Sequence, residues 1–358
     1  MHHSVNTVMD LGAGQGELLA AAYQRWPSAQ LLGVDIDKRN VATMRHRLPG
    51  IKCLTADALR FDLPKRLGMD ENSADIAVAN PPYGALESGA QVIKVLQQAG
   101  LDDVVSEKRI SRELVFLAQN LRLLRTGGSL VVVVPQGLGT APHLAELRVA
   151  LMERHGLYKV VELPAKTFSG TEARTLALFM TKGATSHVVE CVPASGASHH
   201  LDGSQIRERI DAKFHQRTLK LSTNLLEIGA EIVRGSLTNK EAQKLRWSAF
   251  HTTDFHQYPS GLAKLPNSVC PSTKFITAEK GDILLARVGT RCLGKMVWVK
   301  SGMAVLTDCV YRIRVKPMFQ KQVFNALCST HGQDWLASVA HGTCAFVVSK
   351  SDLEQFPF

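Results

Sequence analysis

Asn80-Pro81-Pro82-Tyr83 is the stretch of this chain with the sharpest chemical content. It follows the apolar run Ala74–Ala79, which places it at the C-terminal end of a strand, where open α/β sheets gather their ligands. Two consecutive prolines set the backbone and remove two N–H donors, so the local carbonyls are pure acceptors. An exocyclic amino group on a nucleobase is a poor nucleophile because its lone pair is delocalised into the ring. Accepting both of its protons, at the Asn80 side-chain oxygen and the Pro81 carbonyl, favours a pyramidal nitrogen that can take a methyl group. The same acceptor dipoles stabilise the positive charge that develops on nitrogen, without a strong base. Tyr83 is suited to stack on a base extruded from a duplex. Asn80, Pro81, Pro82 and Tyr83 are therefore the catalytic candidates. Cytosine C5 chemistry is excluded, since it needs a cysteine nucleophile, usually presented after proline, and the chain has no Pro-Cys pair.

A methyl acceptor needs a donor site. Asp10-Leu11-Gly12-Ala13-Gly14-Gln15-Gly16 lies where a first strand gives way to a first helix, and its glycines allow a tight turn and a close approach to a ligand. Asp35 ends the second strand and can accept two hydrogen bonds from ribose hydroxyls. Asp57, in Thr55-Ala56-Asp57-Ala58, follows the third and can receive the amino group of an adenine; its competing role is a helix N-cap. Three acids at successive strand ends fit S-adenosylmethionine better than NAD, and the G-x-G-x-G spacing lacks the final x-x-G of a dinucleotide fingerprint. Asp10, Gly12, Ala13, Gly14, Asp35, Ile36, Asp57, Ala58 and Asn80 form the candidate cofactor set.

The elements that must position these residues alternate. Apolar runs at Thr7–Leu11, Leu31–Asp35, Ile51–Thr55 and Ala74–Ala79 are separated by helical stretches at Glu17–Arg25 and Arg39–Leu48, which is the beat of a parallel α/β sheet. It continues with a helix over Arg112–Leu124, a buried strand over Ser129–Val134, a helix near Leu144–Glu153 and closing strands at Lys159–Leu163 and Leu176–Thr181. Residues 183–203 are poor in large apolar side chains and read as a linker or surface loop. The expected division is a first domain over 1–185, a linker over 186–203 and a second domain over 204–358. The second domain has only short apolar runs, Asp282–Val288, Lys295–Val299 and Val310–Val315, and reads as α+β with a small irregular sheet.

With 358 residues, 45% hydrophobic and 21% charged, the chain has ample material for two cores. Its net charge of +10 points to a polyanionic partner. Residues 1–185 hold 21 Lys and Arg against 18 Asp and Glu, and residues 186–358 hold 21 against 14, so the second half is expected to meet phosphate. The seven cysteines are scattered, with no Cys-x-x-Cys pair, and no metal site is expected. Neither a signal pattern nor a membrane-length apolar run is present, so a cytoplasmic location is expected.

The order of glycine loop, Asn-Pro-Pro-Tyr and a C-terminal domain resembles the γ-class DNA adenine-N6 methyltransferases, which include type I modification subunits and fused type II enzymes. The resemblance implies an α/β, Rossmann-like S-adenosylmethionine-dependent methyltransferase with a C-terminal α+β DNA-recognition domain. It implies that Asp10, Gly12 and Gly14 line the methionine part of the cofactor, Asp35 the ribose and Asp57 the adenine. Thr167-Phe168-Ser169-Gly170-Thr171-Glu172 resembles a later motif of the family, which would make Phe168 the second face of a clamp on the target base; a core phenylalanine is the competing role. Gly281–Thr290, Ser351–Gln355 and Arg234–Thr238 are similar to segments of type I specificity subunits. Arg287 and Lys295 are the candidate DNA-binding residues there, with solvated surface charge as the competing role. In the family a segment ahead of the glycine loop closes the cofactor pocket. Nine residues precede Asp10 here, so a partner or a second copy would supply that wall.

Site-specific methylation of adenine N6 in double-stranded DNA by base flipping, within restriction–modification and beside a restriction subunit, is the leading expectation. An RNA or protein-glutamine N-methyltransferase, or a DNA-binding protein with impaired catalysis, are the alternatives.

Overall fold

The computed structural model describes residues 4–164, 167–168, 174–215, 223–244, 249–267, 274–342 and 345–358. It divides into two compact units, Met1–His215 and Gln216–Phe358.

Among the described residues the first unit forms a nine-stranded sheet. Its strands are β1 (Thr7–Leu11), β2 (Gln30–Asp35), β3 (Lys52–Thr55), β4 (Ala74–Ala79), β5 (Leu124–Pro135), β6 (Leu157–Glu162), β7 (Thr175–Thr181), β8 (Val188–Val192) and β9 (His199–Asp202). They lie in the order β3-β2-β1-β4-β5-β7-β6-β8-β9. Strands β1 to β5 are mutually parallel, and β7 enters antiparallel between β5 and β6. This is the expected Rossmann-like arrangement. The strand order reverses beside β1, so a crevice opens between the C-terminal ends of β1 and β4. Between the strands run α1 (Glu17–Arg25), α2 (Lys38–Arg47), α3 (Leu63–Leu67), α4 (Ala90–Gln98) and α5 (Arg112–Leu123). From Leu114 to Leu123 every residue of α5 is buried, so its polar side chains must find partners. Gln119 donates to the carbonyls of Ala58 and Arg60, and the Arg122 guanidinium packs 4.1 Å from the Phe61 ring while pairing with Glu71. These contacts hold the segment after β3 against α5.

The linker expected over 186–203 is instead part of this sheet. β8 pairs parallel with β6 and β9 antiparallel with β8, and alternate residues Val189, Cys191 and Leu201 are buried. The boundary moves to His215 because the chain beyond β9 is bound in by Arg148. This fully buried residue donates five hydrogen bonds to the carbonyls of Leu138, Ala141, Ile206, Arg207 and Glu208. A sequence of small and polar residues carries no trace of a donor that lies some sixty positions upstream.

The second unit is α+β, as expected. Its strands are β10 (Glu231–Arg234), β11 (Ala249–Phe250), β12 (Leu262–Asn267), β13 (Thr277–Ala278), β14 (Ile283–Ala286), β15 (Met296–Leu306) and β16 (Val310–Arg314). The sheet runs β10-β16-β14-β15-β11, with β12 and β13 also paired to β15. Helices Pro317–Cys328 and Thr330–Val339 bring Phe324, Trp335 and Leu336 into one of its two cores. The segment 351–355 forms most of a short helix, and its end and the residues after it return to the start of the unit, where the Leu225 and Leu226 amides donate to the carbonyls of Phe356 and Glu354. Among the described residues no helix is long and apolar enough to cross a membrane.

Candidate active site

The turn after β1 is built on glycine backbone. Gly12 (φ 78°) and Gly14 (φ 54°) both take the left-handed conformation that L side chains resist. A Cβ on Gly12 would come within 3.0 Å of the Phe116 ring and 3.7 Å of Pro82. The turn is pinned to β2 by the amides of Gly12 and Ala13, which donate to the Val34 carbonyl at 2.8 and 2.9 Å.

Asp35 completes this fastening. Its carboxylate accepts from the amides of Gly14 and Asp37, each at 2.8 Å, and from the Asn40 carboxamide at 3.2 Å. A carboxylate offers about four acceptor positions, so Asp35 retains room for about one ribose hydroxyl rather than two. Asp10 lies below the turn, 1% exposed, with Oδ1 lacking any partner among the described residues. Burial, with the nearby Asp35 charge, pushes its carboxyl up to about 8. Asp57 is exposed, and its Oδ1 accepts from the Leu59 amide at 2.9 Å in a tight turn. No helix starts there, which removes the N-cap role.

Asp35 and Asp57 border a cavity of about 480 Å³ at the ends of β1 to β4. From the cofactor set it is lined by Gly12, Asp35, Ile36, Asp57, Ala58 and Asn80, and from the catalytic set by Pro81, Pro82 and Tyr83 as well. Phe168 also lines it, whereas Ser169-Gly170-Thr171-Glu172 lie outside the described residues. Asp10, Ala13 and Gly14 do not reach the cavity: Asp10 is beneath the turn, and the Gly14 amide faces Asp35. Four lining residues were not anticipated, namely Ala56, Leu59, Arg112 and Phe116. Arg112 and Phe116 are one helical turn apart on α5, a signal present in the sequence but indistinguishable there from an ordinary core helix.

The tetrapeptide sits where its strand predicts. Asn80 is exposed and Pro81 buried. The Tyr83 hydroxyl donates to Asn80 Oδ1 at 3.2 Å, so the two residues expected to serve the target base engage each other. Burial, then the Glu113 charge, pushes the Tyr83 phenol up to about 12, which keeps it a neutral donor. The next residue, Gly84, is held on both sides: its amide donates to Glu113 at 3.1 Å and its carbonyl accepts from the Arg112 amide at 2.8 Å. The start of α5 therefore fixes the exit of the tetrapeptide.

In the second unit, the Arg287 guanidinium is turned onto the Asp308 carbonyl at 2.9 Å and lies 5.3 Å from the Tyr311 ring. Lys295 is exposed and borders a cavity of about 560 Å³ with Phe255, Tyr258 and Phe324. Among the described residues no group of three or more His, Cys, Asp or Glu side chains is placed to hold a metal ion.

Comparison with known proteins places these features in context. Residues 2–220 match the model of a family described as N-6 DNA Methylase. A release factor glutamine methyltransferase from Caulobacter vibrioides is 28% identical over 141 residues, covering 37% of this chain and 46% of that protein. The type IIG restriction endonuclease BpuSI superposes with a TM-score of 0.52 at 12% identity, over 99% of this chain and 55% of that one. A type I restriction-modification system methyltransferase subunit from Streptococcus thermophilus gives a TM-score of 0.47 at 22% identity, over 59% and 46%. The chain spans about half the length of the curated relatives it matches.

Proposed function

The chain belongs to the N-6 DNA methylase family, and from that premise we propose that it methylates the N6 amino group of adenine in duplex DNA, with the base extruded into the cavity at the ends of β1 to β4. S-adenosylmethionine is the methyl donor. The residues present suit it: Asp57 is exposed in the cavity, Asp35 keeps an acceptor position beside it, and the side chain of Ile36 is 73% exposed at the rim, an apolar surface that a bound ring would cover.

The observation that carries the proposal is the convergence of Asn80 and Pro81 with these acids in one cavity. Asn80 Oδ1 and the Pro81 carbonyl accept the two amino protons of the target base, and the nitrogen lone pair is directed away from them. Tyr83 gives up its hydrogen bond to Asn80 as the amino group takes that acceptor, and its ring covers one face of the base, with Phe168 on the other. Pro81 and Pro82 offer no N–H to compete for the acceptors. The second unit, with its specificity-subunit-like segments, serves as the target-recognition domain, and a restriction–modification system is the proposed setting.

A protein-glutamine acceptor is the second reading, favoured by the identity to a release factor glutamine methyltransferase. Its side-chain amide presents the same planar NH2. Radiolabelled methyl transfer separates the two. Label on adenine N6 of unmethylated duplex DNA, reduced about 100-fold or more in Asn80→Ala, supports the proposal. Label on a glutamine-containing peptide and none on DNA replaces it with the second reading.

A further inference from the structure

The catalytic unit carries cations that nothing in its own fold uses. Among the described residues of this unit, Arg109 and Arg112 are the arginines whose side chains make no hydrogen bond, ion pair or ring contact. The others hold a carboxylate, a carbonyl or an aromatic ring, or have another partner. Lys108 adjoins them and is likewise exposed and unpaired among the described residues. All three fall in the short run Lys108-Arg109-Ile110-Ser111-Arg112.

This run is rigidly placed beside the tetrapeptide. It lies antiparallel to the residues that leave Tyr83: the Arg112 amide donates to Gly84 at 2.8 Å, the Leu86 amide donates to Ile110 at 3.1 Å, and Ala85 bridges Ser111 between them. Ile110 is 3% exposed and anchors the run to the core. Arg112 itself lines the cavity, one turn from Phe116. Two acids share the segment. Glu107 is exposed and Glu113 accepts from the Gly84 amide, and against them the three cations leave the segment with a net charge of +1.

We infer that Lys108, Arg109 and Arg112 form a phosphate clamp that grips the DNA backbone beside the extruded adenine. The inference rests on the proposed DNA substrate. It places backbone contacts in the catalytic unit, where the charge balance along the sequence had directed attention to the second half. Arginine and lysine held at the mouth of a base pocket meet phosphate as soon as the base enters, and each neutralised phosphate releases condensed counterions.

The test is the salt dependence of duplex DNA binding, followed by fluorescence anisotropy for the full chain and for Lys108→Ala/Arg109→Ala/Arg112→Ala. Each lost phosphate contact lowers the slope of log K against log salt by about 0.9, so the triple variant should lose about 2.7 from its slope. The S-adenosylmethionine affinity of Lys108→Ala/Arg109→Ala, which spares the cavity-lining Arg112, should be unchanged, and Lys108→Arg/Arg109→Lys/Arg112→Lys should keep the wild-type slope. A triple variant that is folded, by its thermal transition, yet keeps the full slope overturns the clamp alone. Weakened cofactor binding in Arg112→Ala with an unchanged slope overturns it too, by assigning Arg112 to the cofactor's carboxylate. Failure of the wild type to bind duplex DNA at any salt concentration overturns the DNA reading itself, and the clamp with it.

Discussion

Replacing Asp10 by asparagine should stabilise the cofactor-free protein. The carboxyl is 1% exposed, Oδ1 has no partner among the described residues, and Asp35 lies close enough to repel it. Its folded value of about 8 stands above the ordinary 3.8, so the native state holds a proton that the unfolded chain releases. Below about pH 4 both states are protonated and no penalty exists. As pH rises from there toward 8 only the unfolded state ionises, and the wild type loses stability with every step. At about 1.4 kcal/mol per pH unit the penalty at pH 7 is bounded at about 4 kcal/mol, an upper limit because buried sites relax. Asparagine has the same shape and no charge to ionise. Thermal denaturation of both proteins at pH 5 and pH 8 should show an advantage for Asp10→Asn that is small at pH 5 and grows to about 10 °C at pH 8. Midpoint curves that run parallel across this pH range would refute the reasoning, because the proton would then not be bound differently in the two states.

Two further substitutions probe the site and its frame. Tyr83→Phe keeps the ring and frees Asn80 Oδ1 from a 3.2 Å hydrogen bond that is long and exposed, so kcat/KM should rise about twofold; a tenfold loss would mean that the hydroxyl acts on the substrate. Arg148→Met removes all five donors from the carbonyls of Leu138, Ala141, Ile206, Arg207 and Glu208 and should cost about 4 kcal/mol, or about 10 °C in the melting of the first unit. A loss under about 1 kcal/mol would show that water replaces the guanidinium at those carbonyls.

Most of the lining of the candidate site was legible in the sequence because strand ends are. A parallel sheet delivers residues that follow β1, β2, β3 and β4 to one edge, so the turn at Gly12, Asp35, Asp57 and Asn80 could be gathered from apolar runs and their punctuation alone. The lining of that site from α5 was not legible, since Arg112 and Phe116 occupy a helical pattern that equally describes a buried core helix. Nor was the state of the functional groups: that Asp35 already serves Gly14, Asp37 and Asn40, and that Tyr83 engages Asn80, follow from side chains meeting across separate turns. Arg287 shows the same limit in the second unit, where a basic residue suited to DNA is committed to Asp308 and Tyr311.

The sequence by itself determined the periodicity, and hence most strands and helices and the candidate residues at the strand ends, because period, glycine turns and proline constraints act within a few residues. Only the tertiary structure decided where the first unit stops. Strand β8 is a short apolar run among small and polar residues and β9 carries little apolar surface, and they become structure because β6 offers an open edge to β8 and β8 offers one to β9. The first of these pairings acts over long sequence separation, and its energy appears only once the chain has closed upon itself.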